Sequence, residues 1–407
     1  MGCREATAPP ARARLLPDTR GRIESVVLSL ASGRRAALRN ADIVSRLVDA
    51  LPPDTRVRIL TNDRAAFDVR QPAAPLRRRD VEFLEVPPDH DLTIWPQDPF
   101  LVLETQAGGT RLLRAHGFER ADDRVMAEAI AGSAGWSVGD SALEFEGGNV
   151  VADTRRIFVG ANTIRRNAIA ADVAEAEIAA RFEASLGAPV VVVGPVPQPL
   201  AHLDMYLTPL GGDRVLLADP GAGAAIAERL LEASPESVAR FEETVSAWFF
   251  ADPAVATLPG RDAPIEAPDL SGATRRAARD SARLAPLFDS LADALRARGL
   301  DVHRVPILLD DPARPPASDR ARDESSERPF AAPLDFPILT YNNVIQEERE
   351  GSRSVWLPHY GLAPLDRAAA DAWRALGYRV VPIEGYATSA LYGGALRCSA
   401  KVTERSR

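Results

Sequence analysis

Cysteine is scarce in this sequence: its 407 residues include only two, Cys3 and Cys398. A disulfide framework, a cysteine-rich zinc module and an iron–sulfur centre each need more cysteines, so all three are excluded. Lysine is scarcer still, because Lys401 is the single lysine among 49 basic residues. Its place six residues from the C-terminus argues against Schiff-base chemistry, which needs a lysine amine inside a site.

Long apolar runs and blocks of like charge are also missing. No segment reaches about 18 consecutive apolar residues, the length of a membrane-spanning helix. Residues 1–22 lack the apolar centre of a secretory signal and are interpreted as a disordered tail, so we expect a cytoplasmic protein with no membrane partner. The net charge of −8 is spread along the chain, which makes nucleic acid a poor expectation as a partner.

Strand-like and helix-like segments alternate along the chain, and one order recurs. Four times, two strands joined by a turn precede helical residues and a third strand. In the second copy the helix is predicted over residues 167–186, and in the fourth copy the first strand is predicted over Phe336–Glu347. An unpaired strand is predicted near each end, Ile23–Leu30 and Ala395–Thr403, and pairing them would complete a fifth copy. The pattern predicts an α/β fold: a five-bladed pseudosymmetric α/β propeller of ββαβ units with a central active site. An open α/β sheet with added hairpins is the alternative.

A single domain is predicted over residues 23–404. Helices near residues 224–298 enlarge the third copy of the repeat. Residues 251–274 and 310–332, rich in proline and charged side chains, interrupt the repeat. We interpret these interruptions as insertions on one face and not as domain boundaries, because long irregular loops within a domain are often lids.

Candidate reactive residues lie at the third copy of the repeat and at the strand near the C-terminus. Cys398 follows a glycine pair near the start of the last strand, and Arg397 beside it would stabilise a thiolate; an inert core cysteine is the plain alternative. His202 and Asp204 lie in and beside a predicted strand, Leu203–Pro209. Because alternate residues of a strand share a face, both would enter one cavity, where a histidine next to a carboxylate serves as a general acid–base.

Two acidic residues occupy the corresponding places in the first and second copies. Asp98, in the stretch Trp95–Pro99, lies at the mouth of a strand between two prolines, where turn capping is the alternative role. Glu146 precedes Gly147-Gly148-Asn149, which an ordinary turn would also explain. In a closed propeller these places converge with those of the later copies, so the sequence predicts one central active site.

Six motifs, taken together and in order, resemble those of the guanidino-group-modifying enzymes of the pentein superfamily: WPQD, FEGGN, HLDMYLTPLGGDRVLLAD, LTYNNV, WLPHYG and GGALRC. The chain most resembles the bacterial agmatine deiminase and peptidylarginine deiminase branch. The resemblance implies a hydrolytic deiminase, a C–N hydrolase that releases ammonia through a covalent cysteine thiouronium. It implies a small-molecule or peptide guanidinium substrate (agmatine, arginine or peptidyl arginine), no cofactor and no metal.

The resemblance also implies roles for individual residues. Cys398 would be the nucleophile and His202 the general acid–base, oriented by Glu146. The carboxylates of Asp98 and Asp204 would grip the guanidinium. The remaining implied substrate contacts are Trp95, Asn149 and Arg397.

This sequence departs from the family at places that bear on the substrate. Tyr392 stands where arginine deiminases carry an arginine for the substrate carboxylate, which argues against free arginine. Two other functions stay open: an amidinotransferase, in which an amine replaces water, and a guanidinium-binding protein without turnover. A homo-oligomer is compatible with the sequence.

Overall fold

The computed structural model describes residues 13–30, 40–64, 81–90, 92–250, 269–311 and 334–406. The strands are β1 (Ala13–Leu15), β2 (Ile23–Leu30), β3 (Arg56–Thr61), β4 (Val81–Glu85), β5 (Phe100–Thr105), β6 (Thr110–Arg114), β7 (Ser137–Asp140), β8 (Val150–Ala152), β9 (Ile157–Gly160), β10 (Val190–Val193), β11 (Leu207–Gly211), β12 (Arg214–Asp219), β13 (Asp301–Leu308), β14 (Leu339–Thr340), β15 (Ile345–Arg349), β16 (Ser352–Pro358), β17 (Tyr378–Ile383) and β18 (Ala400–Arg405). The helices are α1 (Asn40–Ala50), α2 (Val125–Ala134), α3 (Ala161–Ala171), α4 (Glu175–Leu186), α5 (Pro220–Ala233), α6 (Pro235–Phe250), α7 (Ala273–Ala297), α8 (Ala363–Ala375) and α9 (Ala387–Leu391). Short 3₁₀ turns cover Ala121–Arg124, Gly147–Asn149 and Leu203–Met205.

Within the described residues the strands form five small sheets: β1-β5-β6-β7, β8-β9-β10, β11-β12-β13-β14, β15-β16-β17 and β18-β2-β3-β4. Each sheet contains an antiparallel pair of strands and a third strand parallel to the second. Helical residues lie between the second and third strand of every sheet. This is the ββαβ order that the sequence predicts, in an α/β fold.

The fifth sheet joins the two ends of the described chain. β18 runs antiparallel to β2, with Ala400 opposite Leu28, so the predicted pairing of the end strands is confirmed. The strand begins later than predicted, at Ala400. Residues 395–399 form turns instead, closed by hydrogen bonds from the Ser399 amide to the Ala395 carbonyl and from the Ala400 amide to the Arg397 carbonyl.

Two other predicted elements differ in the structure. Residues 167–186, predicted as one helix, belong to α3 and α4, because Asp172 adopts a φ of 52° and ends the first of them. Aspartate tolerates this left-handed conformation better than most residues. The predicted strand Phe336–Glu347 is also interrupted: β14 pairs with β13 of the third sheet, whereas β15 pairs with β16 of the fourth.

Residues 13–22, which the sequence assigns to a disordered tail, are ordered. β1 pairs antiparallel with β5, placing Leu15 opposite Leu103, and the Leu16 amide donates to the Val102 carbonyl at 2.9 Å. Residues 1–12 lie outside the described residues. Residues 251–268 and 312–333, which hold most of the two predicted insertions, lie outside them as well.

The first strand of every ββαβ unit lines the same small internal cavity, of about 40 Å³. These strands are β5, β8, β11, β15 and β18. Helices cover the outer parts of the sheets with apolar stripes, as in α8, where Leu365, Ala369 and Trp373 are buried at four-residue spacing. None of the helices in the described residues is long and apolar enough to cross a lipid bilayer.

Candidate active site

Cys398 lies two residues before β18 and is 2% exposed. Asn343, two residues before β15, holds it from both sides: the Cys398 amide donates to Asn343 Oδ1 at 3.1 Å, and Asn343 Nδ2 donates to Cys398 Sγ at 3.3 Å. Burial and then the negative charge of Asp204 raise the pKa of the Cys398 thiol, and a hydrogen bond with His202 opposes this rise. Asn343 belongs to the LTYNNV motif, but the sequence assigns it no role.

His202 and Glu146 occupy equivalent places in the third and second units. Each immediately precedes a three-residue 3₁₀ turn, and their backbone angles nearly coincide: φ −115°, ψ 141° for His202 and φ −116°, ψ 139° for Glu146. His202 Nε2 lies 3.0 Å from Glu146 Oε2, and Nδ1 lies 3.8 Å from Asp98 Oδ1. Gly148 permits this approach, because a Cβ atom there would lie 2.4 Å from His202 Nδ1.

The His202–Glu146 pair is charged. Burial lowers the pKa of His202, but the charges of Asp98 and Glu146 outweigh it and raise that pKa well above its ordinary value. Burial likewise works against the Glu146 carboxylate, but the charge and hydrogen bond of His202, together with Arg120, lower the pKa of Glu146 to about 2. An imidazolium ion therefore stands beside the Cys398 thiol at neutral pH, where it can act as a general acid.

The prediction that Asp204 lies on a strand, on the same face as His202, is wrong. The predicted strand Leu203–Pro209 is a 3₁₀ turn followed by β11, because Asn149 Oδ1 accepts a hydrogen bond from the Leu203 amide at 3.1 Å and the Tyr206 amide folds back to the Leu203 carbonyl at 3.0 Å. The turn nevertheless brings the expected groups together. One polar atom each of His202, Asp204 and Cys398 lie within 4.8 Å of one another.

Asp98 and Asp204 each have one carboxylate oxygen that accepts a hydrogen bond and one that accepts none from the described residues. Asp98 Oδ2 accepts from Arg120 Nη2 at 2.7 Å, and Asp204 Oδ2 accepts from Arg397 Nη1 at 2.8 Å. The Oδ1 atoms of both residues are buried and have no hydrogen-bond partner among the described residues. Because a buried acceptor without a donor is costly, these two oxygens favour a ligand that carries N–H groups.

Arg397, predicted to bind substrate, donates all five of its N–H groups to the protein. The acceptors are Asp18 (twice), Asp204 and the carbonyls of Gly147 and Val150, at 2.8 to 3.4 Å. None of these hydrogen bonds reaches the sulfur of Cys398, so the predicted stabilisation of its thiolate by Arg397 is not seen. The side chain instead holds Asp204 in place.

Asn149 and Trp95, also predicted to contact substrate, support the protein as well. Asn149 Nδ2 donates to the carbonyl just before His202, at 3.0 Å, and its Oδ1 accepts from the amide just after it. The Trp95 ring packs against Gly394, where a Cβ atom would lie 2.5 Å from the ring carbons. Both residues therefore fix segments that carry the reactive groups.

Arg120 is the member of this cluster that sequence reasoning missed. It lies before the turn that leads into α2, and its guanidinium donates to Asp98, to Asp123 at 3.0 Å and to Glu146 at 3.4 Å. Although burial lowers the pKa of Arg120, these three carboxylates raise it above its usual range. No motif or repeat position marks Arg120, so the sequence carries no signal for it.

The same cluster has the spacing of a metal site. One polar atom each of Asp98, Glu146 and His202 lie within 4.8 Å of one another. However, the carboxylates of Asp98 and Glu146 already face Arg120, and the His202 ring carries a positive charge. Ligation of a divalent ion needs a neutral imidazole and would place its charge near that of Arg120.

Comparison with solved structures finds the same fold in agmatine deiminases. The agmatine deiminase of C. jejuni is 11% identical with a TM-score of 0.60, and the match covers 98% of this chain and 98% of that one. The agmatine deiminase of Enterococcus faecalis is 12% identical with a TM-score of 0.60, over 96% of this chain and 95% of that one. Comparison of the sequence with protein-family models and with curated proteins gives no match.

These likenesses span nearly the whole of both chains, although few residues are identical. They agree with the fold that the order of the motifs from WPQD to GGALRC implies. The resemblance is therefore confirmed for the fold: this chain has the pentein fold of the agmatine deiminases.

Proposed function

We propose that this chain is a hydrolytic deiminase, a C–N hydrolase that acts on a guanidinium substrate through a covalent cysteine intermediate. The observation that carries the proposal is a pair of buried oxygens, Asp98 Oδ1 and Asp204 Oδ1, that accept no hydrogen bond from the described residues and lie beside Cys398 and His202. A guanidinium is a planar fork of N–H donors that matches carboxylate oxygens. The shared fold with agmatine deiminases supports the same chemistry.

We also propose that the five sheets are the blades of a pseudosymmetric propeller in one catalytic domain, residues 23–404. The support is that the first strand of every unit lines a common cavity. Five residues of the cluster also precede those first strands by only a few positions, one for each unit: Asp98, Glu146, His202, Asn343 and Cys398. Such an arrangement collects them at one end of a central axis.

In the first half of the reaction, Asp98 and Asp204 hold the guanidinium carbon against the sulfur of Cys398. The cationic substrate favours the thiolate, so the thiol loses its proton to solvent as substrate binds. The sulfur then forms a bond to the guanidinium carbon. His202 donates its proton to one amino group, the C–N bond breaks, and ammonia leaves a thiouronium on Cys398.

In the second half, neutral His202 takes a proton from a water molecule that enters where ammonia left. The oxygen bonds to the thiouronium carbon and the C–S bond breaks. The thiolate and a neutral ureido product form as the second proton of the water molecule passes to solvent. His202 is then protonated again, and its hydrogen bond to Glu146 keeps the ring in place. Arg120 and Arg397 hold the outer oxygens of the two aspartates.

The ion pairs of Arg120 and Arg397 help to decide which guanidinium substrate the cluster can bind. Among the described residues of the cluster, Arg120 and Arg397 both have acidic partners, so neither stands ready for the α-carboxylate of free arginine. A substrate without that carboxylate, such as agmatine or an arginine side chain within a peptide, suits the cluster better.

The purified chain is expected to release ammonia from agmatine or from an arginyl peptide faster than from free arginine. Ammonia and the ureido product are measured side by side at equal substrate concentrations, with and without an added amine. If none of the three substrates reacts, the deiminase proposal is wrong. An amidino group found on the added amine, in place of the ureido product, would instead identify an amidinotransferase.

Replacing Glu146 with glutamine is expected to move the alkaline limb of the kcat/KM pH profile to lower pH. The carboxylate charge helps to raise the pKa of His202, and glutamine keeps the shape of the side chain without that charge. The imidazolium ion therefore loses its proton at a lower pH in the variant. A Glu144→Gln variant, two residues earlier and without a contact to His202, serves as the control; if both variants keep the wild-type limb, Glu146 does not set the charge of His202.

A further inference from the structure

Lys401, the single lysine of the chain, lies beneath the candidate active site. It is 5% exposed and belongs to β18, three residues after Cys398. Its Nζ donates to the carbonyl of Gln97 at 3.1 Å and to the carbonyl of Phe100 at 2.8 Å, and it lies 5.2 Å from the centre of the Phe100 ring. Although Lys401 lies near the end of the given sequence, the structure buries its ammonium group close to Asp98.

The two carbonyls that Lys401 joins stand on either side of Asp98 and Pro99. Proline has no N–H group, so this segment has one backbone donor fewer to fix it. The Asp98 amide makes only a long hydrogen bond to the Trp95 carbonyl, at 3.4 Å. The ammonium group therefore closes a bridge around Asp98, the residue whose Oδ1 accepts no hydrogen bond from the described residues.

The residue type at position 401 is informative because arginine fills the other 48 basic positions. A lysine ammonium is a compact donor with three hydrogens, able to join two nearby carbonyls, whereas a guanidinium is a wide planar fork. The charged groups that act on it are Arg397, Asp18, Asp98 and Asp204. Burial first, and then Arg397, lower the pKa of Lys401 to about 7, while the three carboxylates oppose this.

We propose that Lys401 is a positioning residue of the deiminase: by joining the Gln97 and Phe100 carbonyls it sets the place of the Asp98 carboxylate that grips the guanidinium. The proposal rests on the function proposed above. It predicts that removing the ammonium group weakens catalysis through Asp98 more than it weakens the fold.

Lys401→Met keeps the length of the side chain and removes the donors, and Lys401→Arg keeps a donor cation. The matched control is Thr403→Val, which removes a buried hydroxyl from the same strand, away from Asp98. We expect kcat/KM of Lys401→Met to fall at least about tenfold below that of the control, since a misplacement of about 1 Å can cost about 10²-fold. Lys401→Arg is expected to recover part of this loss, and Tm is measured for all three variants.

If Lys401→Met and Thr403→Val differ less than twofold in kcat/KM, the positioning role is wrong. This result is distinct from failure of the proposed function, in which the unmodified chain itself releases no ammonia. A wild-type chain that turns over substrate, with Lys401→Met equally active, refutes only the role of Lys401.

A second measurement needs no variant at position 401. Because the chain has one lysine, labelling with ¹³C,¹⁵N-lysine gives a single side-chain signal by NMR. In a Cys398→Ala background, saturating agmatine adds a positive charge beside Asp98, so we expect the titration of Lys401 to move to lower pH. A titration that agmatine binding leaves unchanged contradicts the proposal.

Discussion

Replacing Cys398 with alanine is expected to abolish ammonia release while guanidinium binding is kept. The sulfur forms the covalent bond, so its loss stops the first step, and removal of a nucleophile in a well-studied protease lowers kcat by about 10⁶-fold. We expect a fall of at least about 10⁴-fold here. The clamp made by Asp98 and Asp204 does not involve the sulfur, so agmatine should still bind, as calorimetry can measure.

Cys3→Ala is the matched control, because it removes the other cysteine of the chain. It should leave ammonia release unchanged. Acid quenching of the wild type during turnover, followed by mass spectrometry, should detect a thiouronium adduct on the peptide that contains Cys398. Ammonia release by Cys398→Ala at a wild-type rate would refute the covalent mechanism, and loss of agmatine binding would refute the separation of clamp and nucleophile.

A large fall in kcat/KM is also expected when either aspartate of the clamp, Asp98 or Asp204, loses its charge. Asp98→Asn and Asp204→Asn should each lower kcat/KM by about 10²-fold or more, since removing one partner of a buried ion pair costs about 3–5 kcal/mol. An amide also turns an N–H donor toward a ligand that has only donors to offer. The loss should appear in the affinity of Cys398→Ala for agmatine as well as in turnover.

Asp280→Asn provides the comparison for these two variants. Asp280 is a buried aspartate of α7 that lies 3.5 Å from an arginine, Arg283, outside the cluster. Its replacement should change stability and leave kcat/KM close to that of the wild type. The clamp is not where we place it if Asp98→Asn and Asp204→Asn stay within threefold of Asp280→Asn.

Much of the fold could be predicted because its signals are local. Alternating apolar residues and glycine turns mark each strand pair, and the two unpaired strands at the ends leave one pairing to complete the repeat. The predicted ends of strands and helices differ from the structure where a side chain binds the backbone and changes its direction. The side-chain oxygen of Asn149 accepts a hydrogen bond from the backbone amide of Leu203, and a segment with a strand pattern forms a 3₁₀ turn there. These two residues are 54 positions apart, so a local stretch of sequence does not reveal the contact.

The residues of the candidate site also fall into two groups, those that the sequence predicts and those that it does not. Asp98, Glu146, His202, Asp204 and Cys398 stand in motifs at matching places, and the structure brings their side chains together. Arg120, Asp18 and Lys401 stand in no motif, since their roles come from partners far away in sequence. Arg397 was assigned the wrong partner because its neighbour in sequence, Cys398, is not its neighbour in hydrogen bonding.

The pairing of β18 with β2 has a consequence for the time at which the site can exist. β2 is synthesised before β18, and Cys398 is brought beside Asn343 and His202 just ahead of β18. A nascent or C-terminally shortened chain can therefore hold four of the five units and still lack the nucleophile. In the proposed enzyme, the nucleophile therefore joins the cluster only when β2 and β18 pair.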